Sequence, residues 1–253
     1  MLKALIFDVD GTLAETEDLH RQGFNRAFQA LGLPWHWSPE FYAELLKVMG
    51  GKERLVHYIE RFHPEEAEAL KARMPEIHDL KTRFYGELAQ SGGLSLRPGV
   101  RRLVEQARDG GVRLAVATTT SRPNIDLLLR LNFPDGAQPF DVIAAGDEAA
   151  QKKPAPDIFA LAVHRLGIDP SEAIAFEDSA AGIRSALAAG LPVLATRSRY
   201  TKSHRLDGAF SAVSDLGEPD APHEHLQGHV WPDGVVTLDA LRAWHAGHLR
   251  GAA

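Results

Sequence analysis

Six short apolar runs set the architecture: "ALIFDVD" (4–10), "VRLAVATTT" (112–120), "FDVIAAGD" (140–147), "AIAFEDS" (173–179), "LPVLATRS" (191–198) and "AFSAV" (209–213). From the second run onward, the stretches beside them carry apolar residues at three- and four-residue steps: "GVRRLVEQARDGG" (99–111), "IDLLLRLNF" (125–133), "PDIFALAVHRLGI" (156–168) and "AAGIRSALAAGL" (180–191). Gly111, Gly167 and Gly190 stand where helix C-caps belong. Strand alternating with helix requires parallel pairing and a sheet covered on both faces. The expected fold is therefore α/β, a doubly wound parallel sheet.

One interval breaks the rhythm. Roughly a hundred residues separate the first run from the second, where a crossover needs about a dozen. "TEDLHRQGFNRAFQALGL" (16–33), "SPEFYAELLKVMGG" (38–51), "KERLVHYIERF" (52–62) and "EEAEALKARMPEIHDLKTRFYGELA" (65–89) all read as amphipathic helices. The expected division is a core of residues 1–14 and 89–253, with a helical module of residues 15–88 inserted after the first strand. From about Asp215 onward, Pro219, Pro222 and Pro232 predict a loop-rich tail before a last helix, "TLDALRAWHAGHL".

Composition closes off several functions. The 253 residues include no cysteine, which rules out disulfides, thiolate metal sites and cysteine nucleophiles. A formal net charge of -6 provides no broad basic field for nucleic acid or anionic lipid. No stretch approaches the length of a membrane span. The expectation is a cytoplasmic monomer that acts on a small molecule.

The chemistry concentrates where strands run out. Asp8 and Asp10 are two apart and converge at the end of the first strand, where doubly wound folds bind ligands. The second strand ends in Thr118, Thr119 and Thr120, the third leads to Lys153-Pro154, and the fourth ends in Glu177-Asp178. Acids, a lysine and hydroxyls at one rim suit phosphoryl transfer through a covalent intermediate. An ionised Asp8 attacks phosphorus once Mg²⁺, held by Asp8 and Asp178, offsets the repulsion. Lys153 and Thr118 hold the equatorial oxygens. Asp10 protonates the leaving alkoxide and then deprotonates the hydrolytic water.

"DVDGT", Thr118 at a strand end, Lys153-Pro154 and the "EDS" of 177–179 together resemble the four motifs of the haloacid dehalogenase superfamily, in order, from residue 4 to about 200. That resemblance implies Asp8 as nucleophile and Asp10 as acid/base. It implies Mg²⁺ on the Asp8 carboxylate, the Asp10 main-chain carbonyl and Asp178, with Glu177 beside them in the metal site, and it makes the insert a cap that closes over substrate. "DVDGTLAETE", "GGKER" (50–54), "AVATTTS" and "KKPAPD" are similar to the CbbY-type xylulose-bisphosphate phosphatases, which remove an inhibitor of Rubisco. Similarity to the β-phosphoglucomutases is weaker, since those carry Ser-Ala-Ser near Thr118–Thr120 and Asn near Arg122. A bisphosphate substrate needs a second anion site away from the rim. Gly50, Gly51, Lys52, Arg54 and Lys81 in the cap are its candidates. Glu17 and His20 are placed to meet sugar hydroxyls, and Arg122 to join the far phosphate.

Plainer readings compete at several positions. Charges on cap helices are usually solvated, and His78-Asp79 has no partners for a metal phosphohydrolase site. Trp35 and Trp37 are expected to pack within the cap. His223, His225 and His229 sit among Pro and Gly in a loop, and "RSRYTKSHR" (197–205) reads as a solvated basic face. Among rival functions, a signalling receiver domain also joins a phospho-accepting Asp to acids, Thr and Lys. It places that Asp after a middle strand and has no insert. A scaffold without turnover would be expected to have lost one of Asp8, Asp10, Lys153 or Asp178, and a dehalogenase has no need of Asp10.

Overall fold

The structure, a computed structural model, describes residues 1–133 and 138–251; residues 134–137 and 252–253, inside the expected core range, lie outside the described residues. Among the described residues, seven strands form one sheet in the order β3-β2-β1-β4-β5-β6-β7. They are β1 (Ala4–Phe7), β2 (Arg113–Ala117), β3 (Val142–Ala144), β4 (Ala173–Glu177), β5 (Val193–Thr196), β6 (Ser211–Val213) and β7 (His225–Gly228). All neighbouring pairs are parallel except β6 with β7. Both faces of β1 are buried, and the alternation of side chains divides them. Leu5 and Phe7 join the cluster beneath α6 (Val100–Asp109) and α7 (Arg122–Asn132). Ala4 and Ile6 join the cluster beneath α8 (Asp157–Leu166) and α9 (Ala180–Ala188). Phe7 stacks on Phe176 with centroids 4.3 Å apart, which ties the two central strands side by side.

β7 is the element least visible in sequence. "HLQG" has no alternating apolar signal, and its edge position leaves it largely exposed. It lies antiparallel to β6 and precedes α10 (Leu238–Gly251), whose Leu238 and Leu241 complete the cluster against α6. The expected loop-rich tail thus holds an edge strand.

Between β1 and β2 lie α1 (Glu17–Ala30), α2 (Pro39–Leu45), α3 (Gly51–Phe62), α4 (Ala67–Ala72) and α5 (Met74–Leu88). They enclose a separate apolar cluster that includes Phe24, Phe28, Trp35, Trp37, Tyr42, Leu55, Tyr58 and Ile77, so both tryptophans pack within the insert. α1 runs against α5, and Gly23 makes the approach possible: a Cβ there would meet the Lys81 carbonyl at 3.0 Å. The stretch 65–89 is not one helix. Pro75 supplies no amide hydrogen and sits in the first turn of α5, so the chain breaks at Arg73 between α4 and α5. The insert's two connections run side by side: Ala14 bridges Leu96, and the Arg97 amide donates to the Leu13 carbonyl at 2.9 Å. No helix among the described residues is long and apolar enough to cross a membrane.

Candidate active site

The loop after β1 winds on itself. The amides of Thr12, Leu13 and Ala14 all donate to the Val9 carbonyl, while the Asp8 amide donates to the Phe176 carbonyl on β4. Gly11 has a φ of 79°, and a Cβ there would overlap Asp178 Oδ2. Glycine is required on both counts. Behind the loop lies Arg97, a buried residue that sequence reasoning did not single out. Its guanidinium donates to the carbonyls of Gly11, Arg197 (2.7 Å) and Ser214 (2.6 Å) and to the Thr196 hydroxyl (3.1 Å). One side chain thus fixes the loop after β1 against the ends of β5 and β6.

Lys153 is buried and donates to Asp8 Oδ1 and Glu177 Oε1, each at 2.6 Å, and to the Ala117 carbonyl at 3.1 Å. Burial alone would lower its pKa, but the two carboxylates hold it above the ordinary lysine value. Asp8 is pushed up to about 7, first by burial and then by the charges of Glu177 and Asp10, against the pull of Lys153. Burial, with Glu177 and Asp8 nearby, raises Asp178 well above the usual carboxylate range.

Asp8, Glu177 and Asp178 each offer a carboxylate oxygen within 4.8 Å of the others, and all three are buried. Glu177 also braces the site: Oε1 takes Lys153, and Oε2 takes the amides of Asp178 and Ser179 and the Ser179 hydroxyl. It thus holds Lys153 and the loop after β4 while keeping its place in the acidic cluster. For Asp178, the Ser198 side chain and the Arg97 charge only partly offset the effect of burial and of its acidic neighbours. Asp8 and Asp178, two carboxylates raised by burial and by their acidic neighbours, form a hard-oxygen donor set that fits a small divalent cation.

Asp10 lies in a different environment. The Thr16 hydroxyl donates to Oδ1 and the Thr120 hydroxyl to Oδ2, with His20 Nε2 at 3.5 Å from Oδ1. Burial would raise this carboxyl, yet the His20, Thr120 and Thr16 hydrogen bonds and the His20 charge hold it well below the usual range. In this arrangement Asp10 is an acceptor. His20 Nδ1 faces Lys81 Nζ at 2.9 Å. Lys81, buried under α1, is lowered to about 8, chiefly by desolvation.

The same cavity reaches the insert. Asp8, Asp10, Glu17, His20, Gly50, Gly51, Lys52, Arg54, Lys81, Thr119, Thr120, Lys153, Glu177 and Asp178 all line it. Arg54 is buried on α3 and donates to the Tyr42 hydroxyl at 2.7 Å, which itself donates to Glu17 Oε2 at 2.8 Å. The Arg54 Nε, also buried, has no hydrogen-bond partner among the described residues. An acid is present here too, for the Glu53 carboxylate lies over Gly50 at the start of α3.

Two expected residues are not brought in. Thr118 is fully buried below the cavity, where its Oγ1 accepts from the Thr120 amide at 3.2 Å; the chain turns there, and Thr119 and Thr120 carry the lining. Arg122 is exposed on α7 and paired with Asp126 at 2.8 Å, one helical turn on. Ser121 and the buried Asn124, on either side of Arg122 in the chain, line the cavity instead. The stretch 197–205 is no plain solvated face, because Tyr200, Thr201 and His204 line the cavity.

Residues 2–190 match the model of the haloacid dehalogenase-like hydrolases. The plasmid CbbY protein of Cupriavidus necator is 45% identical over 98% of each chain. The CbbY protein of Rhodobacter capsulatus is 50% identical over 85% of this chain and 94% of its own. Among solved structures, a CbbY variant from Rhodobacter sphaeroides in complex with xylulose-(1,5)bisphosphate superposes with a TM-score of 0.78 at 43% identity, over 85% of this chain and 95% of that one.

Proposed function

The chain belongs to the haloacid dehalogenase-like hydrolases and is a phosphoric monoester hydrolase, and from that premise we propose that it removes one phosphate from xylulose 1,5-bisphosphate, leaving xylulose 5-phosphate. One observation carries the choice of a bisphosphate: the cavity has two poles. At the first, Asp8, Lys153 and Asp178 meet the reacting phosphate. At the second, in a cap formed by residues 15–88, the Arg54 guanidinium, bonded to Tyr42 and 3.8 Å from Glu17, lines the cavity together with Lys52 and Lys81. A monophosphate needs only the first pole. A bisphosphate brings a second dianion, and a guanidinium that lines the cavity is a strong group to meet it.

Lys153 occupies Asp8 Oδ1, which leaves Oδ2 to attack phosphorus and form an aspartyl-phosphate. Asp8, Asp178 and the Asp10 main-chain carbonyl would hold a Mg²⁺, which would supply positive charge to the phosphate oxygens when bound. Glu177 keeps Lys153 in place for those oxygens as charge builds. Asp10, a carboxylate in this arrangement, is ready to deprotonate the water of the second step. It serves the first step once the phosphate dianion beside it favours its protonated form. His20, bridged between Lys81 and Asp10, orients that carboxylate toward the sugar oxygens.

The test is a pair of substrates. Arg54→Ala should raise KM for xylulose 1,5-bisphosphate about tenfold to a hundredfold, from the loss of roughly 1.5–3 kcal/mol of charge-assisted hydrogen bonding. Lys52→Ala, at a more open position, should act in the same direction and less strongly. A small aryl phosphate, which cannot reach the cap pole, should be hydrolysed by both variants nearly as fast as by the parent. Equal losses on both substrates would refute a second anion site in the cap.

Metal binding gives a further check. Asp8, pushed up to about 7 mainly by burial, holds a proton below that pH, and the cation must displace it. The apparent Mg²⁺ affinity should therefore weaken from pH 8 to pH 6, by up to about tenfold per unit for one displaced proton. Calorimetric titration in buffers of different protonation enthalpy reads both affinity and proton release. A pH-independent affinity would contradict the assignment.

A further inference from the structure

The loop after β5 is part of the core, yet one of its side chains reaches the cap. Tyr200 donates its hydroxyl to Asp18 Oδ1 on α1 at 2.7 Å. Asp18 is not a loose partner, because it also accepts from Arg21 at 3.0 Å and Gln22 at 2.7 Å, and Arg21 donates to the Trp37 carbonyl ahead of α2. The Tyr200 ring stands edge-on to Tyr42 with centroids 5.7 Å apart. Tyr42 is the residue that accepts from Arg54 and donates to Glu17. A single core residue therefore touches both cap helices, α1 and α2, that support the anion arm. Its own loop is anchored at the catalytic end, since Ser198 holds Thr201 through its amide and hydroxyl at 3.0 and 2.9 Å.

We propose that Tyr200 is a positioning residue: it docks the cap's Glu17–Tyr42–Arg54 arm onto the core and so sets the enzyme's preference for phosphosugars over small phosphate esters. Arg54, which lines the same cavity as Asp8 and Lys153, is useful only if its guanidinium lies at one distance from that pole, and that distance is a cap–core distance. The Ala14–Leu96 connections fix the cap at one end, and the Tyr200–Asp18 bond fixes it across the mouth of the cavity. Because the arm meets only the distant part of a phosphosugar, loosening it weakens binding of that substrate and barely touches an ester that ends at the first pole. This rests on the reading of Arg54 as an anion-binding group.

Tyr200→Phe keeps the ring against Tyr42 and removes the hydroxyl's bond to Asp18 together with its contact to Arg21. It should raise KM for xylulose 1,5-bisphosphate about tenfold, the worth of a hydrogen bond to a charged acceptor, with a much smaller change in kcat and in aryl phosphate hydrolysis. Asp18→Asn combined with Tyr200→Phe should be no worse than the sum of its remaining parts predicts: the two losses should be clearly less than additive. Hydrogen exchange provides an arm that needs no substrate, with faster exchange of the α1 and α2 amides in Tyr200→Phe and unchanged exchange in β1, β2 and β4. A parent that fails to hydrolyse xylulose 1,5-bisphosphate would sink the substrate reading but leave this arm to decide on Tyr200. Equal losses on both substrates, strictly additive losses, or unaltered exchange in α1 and α2 would each overturn the proposal.

Discussion

Asp8→Asn is expected to reduce turnover by about 10⁴-fold or more while the protein remains folded. An amide cannot form an acyl-phosphate, so the chemical step has no nucleophile. The fold survives because Lys153 keeps its 2.6 Å bond to Glu177 and is not left as an uncompensated buried charge. The substitution also removes one of three crowded acids. Steady-state rates with thermal unfolding of the same sample separate the two effects. Substantial activity in a folded Asp8→Asn protein would exclude the covalent route.

Asp10→Asn should slow the reaction by roughly 10²–10⁴, the range for loss of a general acid/base, and the loss should depend on the leaving group. An alkoxide needs a proton as it departs; an aryl oxide needs it far less. With formation of the phosphoryl-enzyme limiting, sugar phosphates should therefore suffer much more than aryl phosphates. The hydrogen bonds from Thr16 and Thr120 can both be retained by an asparagine through its carbonyl oxygen only in part, so a small structural cost accompanies the chemical one. Equal losses across the two leaving-group classes would remove Asp10 from the acid's role.

The sheet was legible because its strands are apolar on both faces and end in chemistry-bearing residues. Asp8, Lys153, Glu177 and Asp178 could be found by asking what lies just past each run, and the structure gathers them around Lys153 Nζ and the Asp178 carboxylate. Thr118 shows the limit of that reasoning: a strand end locates a residue to within one position, and a turn held by the Thr120 amide decides which threonine faces the cavity. Arg54 was visible as a cation but not as a buried one, since its partners Tyr42 and Glu17 lie on two other helices. Tyr200 and Arg97 gave no signal because their contacts join elements more than eighty residues apart. β7, four mostly exposed residues without alternation, exists through its pairing with β6 and not through its own preference.

The most direct test is to look for the phosphoryl group itself. Rapid acid quench of the Mg²⁺-loaded enzyme during turnover of xylulose 1,5-bisphosphate, followed by peptide mapping at low pH, should find one added phosphoryl group on the peptide that contains Asp8. The label should accumulate further in Asp10→Asn if its second step is the slower one, and it should be absent from Asp8→Asn. A turning-over enzyme with no label, or with the label on a peptide that lacks Asp8, would contradict the account.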